Sequence, residues 1–222
     1  MISSCPETQK HTLGTKSGIC GWNWSNHNVD YNPASHMKPL NRGGDRMIDA
    51  HPTQRGAWQL RAEFWTPSPL AEVFAFFSNA QNLEELTPPF LQFHVRTPSP
   101  IALRVGTTID YQLKMHGIPL RWRSLISAWE PPFRFVDEQV RGPYTFWHHE
   151  HTFEERDGGT LIRDTVDYGV PGGWIINTLF VQRDLQRIFR YRTEQMRKRF
   201  GGHPIEVSRP LPSGTRSRET CP

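Results

Sequence analysis

Cysteine is almost absent from this chain: three residues in 222, Cys5, Cys20 and Cys221, all in its polar ends. The patterned part of the sequence therefore has no thiol nucleophile, disulfide framework or thiolate metal site. Long apolar runs are missing too. The longest uncharged apolar stretches, such as residues 172–181, fall short of the roughly 20 residues a membrane helix needs, and the start carries no apolar signal-peptide core. These absences predict a soluble protein, with the cytoplasm as the favoured location. No dinucleotide fingerprint, phosphate loop, Ser/His/Asp order or nucleic-acid motif occurs. No cofactor and no nucleic-acid partner is expected.

Charge of one sign is scarce once it is divided by segment. The formal charge is +4, yet residues 58–200 hold 17 Lys/Arg against 16 Asp/Glu, and residues 174–200 alone hold seven basic against two acidic. The excess is a stripe of Arg183, Arg187, Arg190, Arg192, Arg197, Lys198 and Arg199. It reads as a solvated helix face, with weak membrane-surface contact as its main competitor.

A hydrophobic content of 36% over 222 residues suits one core. Residues 1–55 are polar, with apolar residues following neither helical nor strand period, and are expected to form a disordered tail; Met47 stands as an alternative start. Residues 203–222 read as a second tail. Between them, Trp58 to Trp65 reads as a strand. Ser68 is placed as N-cap and Pro69 as first residue of a helix carrying Leu70, Val73, Phe74 and Phe77. Asn79 caps a short helix to Leu86. The period then changes to 2, predicting strands near 91–96, 106–116, 119–130, 133–140, 143–156 and 159–169, with Asp157-Gly158-Gly159 the strongest hairpin signal. Val170-Pro171-Gly172-Gly173 ends the sheet and launches a long helix through Phe200. The two glycines suit a hinge or cavity lip better than an anion cradle.

The order β-α-α-β6-α predicts an α+β, helix-grip fold: a curved antiparallel sheet of about seven strands wrapped around the C-terminal helix. Such a sheet leaves an internal cavity beneath that helix. The strands carry many aromatics, which either fill a small core or line a pocket for a flat or lipidic molecule.

Several runs carry a family resemblance: Trp122-x-Ser124-x-Ile126, Phe133-x-Phe135-Val136-Asp137-x-Gln139, Trp147-x-His149-x-His151-x-Phe153 and Gly159-Thr160-x-Ile162-x-Asp164-x-Val166-x-Tyr168. Together they resemble the SRPBCC or START-like superfamily over residues 58–200, and within it the polyketide cyclase/dehydrase-like ligand-binding branch. The resemblance implies a hydrophobic small-molecule ligand, such as a lipid, quinone or polyketide-like aromatic, carried or sensed in the cavity. It leaves the chemistry open, because that superfamily also contains cyclases and enzymes with added metal centres.

Alternation puts Trp147, His149, His151 and Phe153 on one strand face, Asp137 with Gln139, and Asp164 with Val166 and Tyr168. The hairpin brings the histidine strand beside Asp164. Three readings stay open. The histidines and acids form a satisfied structural network; or His149, His151 and Asp164 do acid/base work in a cyclase, dehydratase or isomerase; or they hold a metal. Alternation splits His148 from the other two, and His-Glu-His lacks the helical zinc spacing, so no metal site is expected. Ligand contacts are assigned to Tyr111, Trp122, Asp137, Gln139, Trp147, His149, His151 and Tyr168.

Overall fold

The computed structural model describes residues 47–207. The expected disorder of residues 1–46 and 208–222 lies outside them. Among the described residues, nine strands form one sheet: β1 (Ile48–Ala50), β2 (Ala57–Thr66), β3 (His94–Val95), β4 (Thr108–Met115), β5 (Ile118–Glu130), β6 (Arg134–Arg141), β7 (Phe146–Arg156), β8 (Gly159–Gly169) and β9 (His203–Ile205). Their order is β1-β2-β8-β7-β6-β5-β4-β3, with β9 also on β2, and every pairing is antiparallel. Seven strands answer the expectation. β1 and β9 correct it, since both fall in segments read as tails. Three residues are too few to show a period; pairing with the edge of β2 orders them.

Turn chemistry matches the sequence at both tight hairpins. Asp157 and Gly158 have φ of 52° and 74°, and His116 and Gly117 of 50° and 82°. Two successive positive φ values give the hairpin turn whose twist suits the flanking strands. Two register shifts between β5 and β6 bend that part of the sheet.

Helix α1 (Leu70–Phe77) follows β2, but its N-cap is Pro69, with no side-chain cap. Ser68 is not the cap. Its N–H donates to Thr66 Oγ1 and its carbonyl accepts from Thr160 Oγ1, so its backbone groups tie the helix start to the sheet. Asn79 does cap, accepting from the Gln81 N–H, although the segment it starts is a 3₁₀ turn (Ala80–Leu83). Leu91 belongs to another 3₁₀ turn (Pro89–Leu91), which shortens the strand expected from 91.

The final helical run comprises α2 (Gly173–Ile176), a π turn (Asn177–Val181) and α3 (Gln182–Phe200). Gly172 and Gly173 start it with φ of 80° and 61°, a region glycine enters without strain. On α3, Leu185 and Phe189 pack with Leu60, Val166 and Tyr168, and Met196 and Phe200 with Phe64, Phe153 and Ile162. Phe74 of α1 meets Trp129, Phe135 and Phe153 at ring separations of 5.4–6.3 Å, each contact worth about 0.5–1.5 kcal/mol beyond its buried area. A third cluster joins Ile109, Tyr111 and Ile126 to Ala80 and Leu83. The sheet thus packs on α3 through one arm and on the short turns through the other, leaving a hollow between.

Candidate functional site

Three adjacent strands place the polar wall of that hollow. Asp137 on β6 stands opposite His149 on β7, and His151 stands opposite Asp164 on β8. Contact also runs along the diagonals. His149 Nε2 lies 3.2 Å from Asp164 Oδ1 and its Nδ1 lies 3.5 Å from Asp137 Oδ2. His151 Nδ1 lies 2.7 Å from Asp164 Oδ1 and its Nε2 lies 3.3 Å from Asp137 Oδ2. Each of the four ring nitrogens therefore faces a carboxylate.

The fifth member, Arg192, corrects the sequence reading that put it in a solvated stripe. It is 6% exposed and reaches Asp164 with two N–H donors, Nε to Oδ2 at 3.0 Å and Nη2 to Oδ1 at 3.2 Å. One signal for it was present: Leu185, Phe189, Arg192, Met196 and Phe200 recur at three- and four-residue spacing, and all five are buried. An arginine on that stripe faces the sheet. Ser124 was also missed. Its hydroxyl accepts from Trp122 Nε1 at 3.0 Å and donates to Asp137 Oδ1 at 3.4 Å, so Asp137 Oδ2 is left for the histidines.

Burial works against every charge here. On Asp164 the charges of Arg192 and His151 and hydrogen bonds from both histidines outweigh it, holding the carboxyl well below the usual range. Asp137 is lowered in the same way, by a hydrogen bond from His151 and the charges of His149, His151 and Arg192 against its burial. His151 is raised, because Asp164 and Asp137 overcome the burial penalty. His149 is lowered, because burial and the charge of His151 prevail over the same acids. The two histidines are thus driven apart, His151 toward its protonated form and His149 toward its neutral one, beside two acids that favour ionisation. With His151 Nδ1 donating to Asp164, the Arg192 Nη2 3.4 Å away is a close neighbour and not a donor to it.

The hollow has a volume of about 200 Å³. Its lining is mostly apolar, from Leu83, Ile109, Leu113, Phe135, Leu185 and Phe189 among others, and Asp137, His149, His151 and Arg192 supply the charged wall. Tyr111, Trp122 and Trp147 of the expected ligand contacts also line it. Three expected site residues do not. Gln139 exchanges hydrogen bonds with the Tyr144 backbone and closes the β6–β7 connection. Tyr168 is fully buried and donates its hydroxyl to Asn177 Oδ1 at 3.0 Å. Asp164 sits behind the histidines, beneath Arg192. Alternation alone put these three on the inward faces, and neighbours that the sequence does not show occupy them there.

A curved antiparallel sheet closed on one long helix over a hollow is the helix-grip, START-like architecture. Within that class the chain belongs to the family described as polyketide cyclase / dehydrase and lipid transport, which matches residues 66–197, more than half of the sequence. No curated protein sequence matches. Among solved structures, a protein from Arthrobacter aurescens is 14% identical with a TM-score of 0.53, over 68% of this chain and 91% of its own. A protein from Chromobacterium violaceum is 14% identical with a TM-score of 0.51, over 64% of this chain and 97% of its own. At these identities the likeness shows the fold alone.

Proposed function

We propose that this protein binds a hydrophobic small molecule of the lipid, quinone or polyketide-like aromatic kind in its hollow, as a carrier or sensor. The observation that carries this reading is a mostly apolar lining in which His149 and His151 are each held by a hydrogen bond to a carboxylate. Histidines held by carboxylates in this way orient a ligand more readily than they exchange protons with it. Family membership supports hydrophobic-ligand binding in general. The volume of about 200 Å³ lies below the roughly 300–1,000 Å³ of sites for drug-sized ligands, which favours a ring system or part of an acyl chain. Native mass spectrometry of the full chain, with solvent extraction, tests this. A stoichiometric hydrophobic adduct is expected; a clean apo mass together with no quenching of tryptophan fluorescence by added quinones would overturn it.

The alternative, a cyclase, dehydratase or isomerase using His149, His151 and Asp164, draws support from the place of His149 on the cavity wall, where burial favours its neutral form. Unchanged turnover of a substrate by alanine variants of both histidines would rule it out. Weak contact with a membrane surface draws support from Trp174, Ile175, Leu179 and Phe180, each about half or more exposed and close in sequence to Arg183 and Arg187. No helix among the described residues is long and apolar enough to cross a membrane.

A further inference from the structure

We propose that Asp137 Oδ2, His149 Nδ1 and His151 Nε2 form a binding site for one divalent transition-metal cation of the zinc class, open to the hollow. This goes beyond the ligand reading and does not rest on it. Strand alternation supplies two donors from β7, and the third comes from the neighbouring strand, which spacing along the sequence does not show.

The first argument is orientation. An ionised carboxylate only accepts hydrogen bonds, so Asp164 requires His149 Nε2 and His151 Nδ1 to be its donors. The other two nitrogens, His149 Nδ1 and His151 Nε2, converge on the same oxygen, Asp137 Oδ2, and a cation binds among them by displacing the proton that His151 Nε2 gives to Asp137. Histidines that ligate metals almost always donate their other N–H to a carboxylate, a carbonyl or water, which fixes the tautomer. Here one buried acid does this for both rings and is itself anchored by Arg192. Ser124 plays the matching part for Asp137 by taking its Oδ1.

The second argument is distance. One donor atom from each of the three residues lies within 4.8 Å of the others, and Asp137 Oδ2 stands 3.3 Å from His151 Nε2 and 3.5 Å from His149 Nδ1. Metal–donor bonds of about 2.0–2.1 Å at a tetrahedral angle put neighbouring donors about 3.3–3.4 Å apart. These edges match that spacing, so a cation can replace the long 3.3 Å hydrogen bond between His151 Nε2 and Asp137 Oδ2 without moving the strands. Two nitrogens and one oxygen favour zinc-class ions over calcium or magnesium, which take oxygen donors.

Charge then specifies what the open position takes. Arg192 already neutralises Asp164, so Asp137 alone offsets the cation, and one positive charge remains once both histidines are neutral. An anionic oxygen suits it, such as a deprotonated hydroxyl, an enolate or a carboxylate on the molecule in the hollow.

The test is titration of the full chain, stripped with a chelator, with cobalt(II) and zinc(II). One equivalent should bind at sub-micromolar dissociation constant, with the visible absorption of cobalt in a low-coordinate nitrogen/oxygen site. Asp137→Asn should weaken binding at least 100-fold. His148→Ala should leave it unchanged, because His148 faces away and pairs with Glu138. Absence of stoichiometric binding, or equal affinity in Asp137→Asn, overturns the proposal. X-ray absorption on the wild-type zinc complex is independent of any variant's folding: two imidazole nitrogens support the site, and a sphere without imidazole overturns it.

Discussion

The two parts of the final helical run place their residues in opposite ways. In Gly173–Val181, Trp174 is 71% exposed and Phe180 50%, whereas Asn177 is fully buried; in α3, Arg192 is 6% exposed. Apolar side chains face out of the first part and polar ones face into both. The π turn accounts for the first, since its wider winding shifts the helix face and turns Asn177, rather than its apolar neighbours, toward Tyr168. Asp164 accounts for the second: a guanidinium enters a protein interior when a carboxylate waits there. At Asn177 and Arg192 burial follows partner and phase, not hydropathy.

That contrast can be broken by substitution. Arg192→Met should be the most damaging single change, costing about 3–5 kcal/mol in urea unfolding, because it strands a buried carboxylate. Tyr168→Phe should cost about 1–3 kcal/mol by leaving Asn177 Oδ1 unpaired; its Nδ2 already lacks a partner among the described residues. Should Tyr168→Phe prove neutral, the buried asparagine is not what fixes the π turn.

The pH dependence sharpens the comparison from the charged side. His149 is lowered from 6.5 by burial and by the charge of His151, so its contribution to stability is present above pH 6.5 and lost as pH falls. His151 is raised, chiefly by Asp164 and Asp137 against its burial, so its contribution is full below pH 6.5 and lost as pH rises through the raised value. His149→Gln should flatten the acid limb of the urea midpoint and His151→Gln the alkaline limb. Identical profiles for the two variants would show that the pair does not divide its proton in this way. Trp174→Ser should be the mildest change, within about 0.5 kcal/mol on stability, while reducing sedimentation with anionic vesicles severalfold; a large destabilisation would mean that the exposed face packs on something.

The sheet was legible in the sequence because alternation and two-residue turns are local signals. Trp147, His149 and His151 were placed on one face by the same rule. What escaped depended on contacts distant in sequence. Arg192 was counted with a basic stripe although its spacing from Phe189 and Met196 puts it on the apolar face; its partner Asp164 lies on β8, which that spacing does not show. Ser68 fits a cap by type, but Thr66 and Thr160 engage its backbone. Asp137 joins the histidines through β6–β7 register, which no spacing prints.

The short strands at the two ends carry one more consequence. β1 pairs with residues 58–60 and β9 with residues 63–65 along the same outer edge of β2, and Arg61 N–H donates to Met47 carbonyl. The two strands meet almost head to head, at Arg61 and Ala62. The described residues thus close nearly into a ring. A short linker should join residue 47 to residue 207, and the chain could then be reopened at the Asp157-Gly158 hairpin to give a permuted protein with the same sheet and an uninterrupted β2 edge.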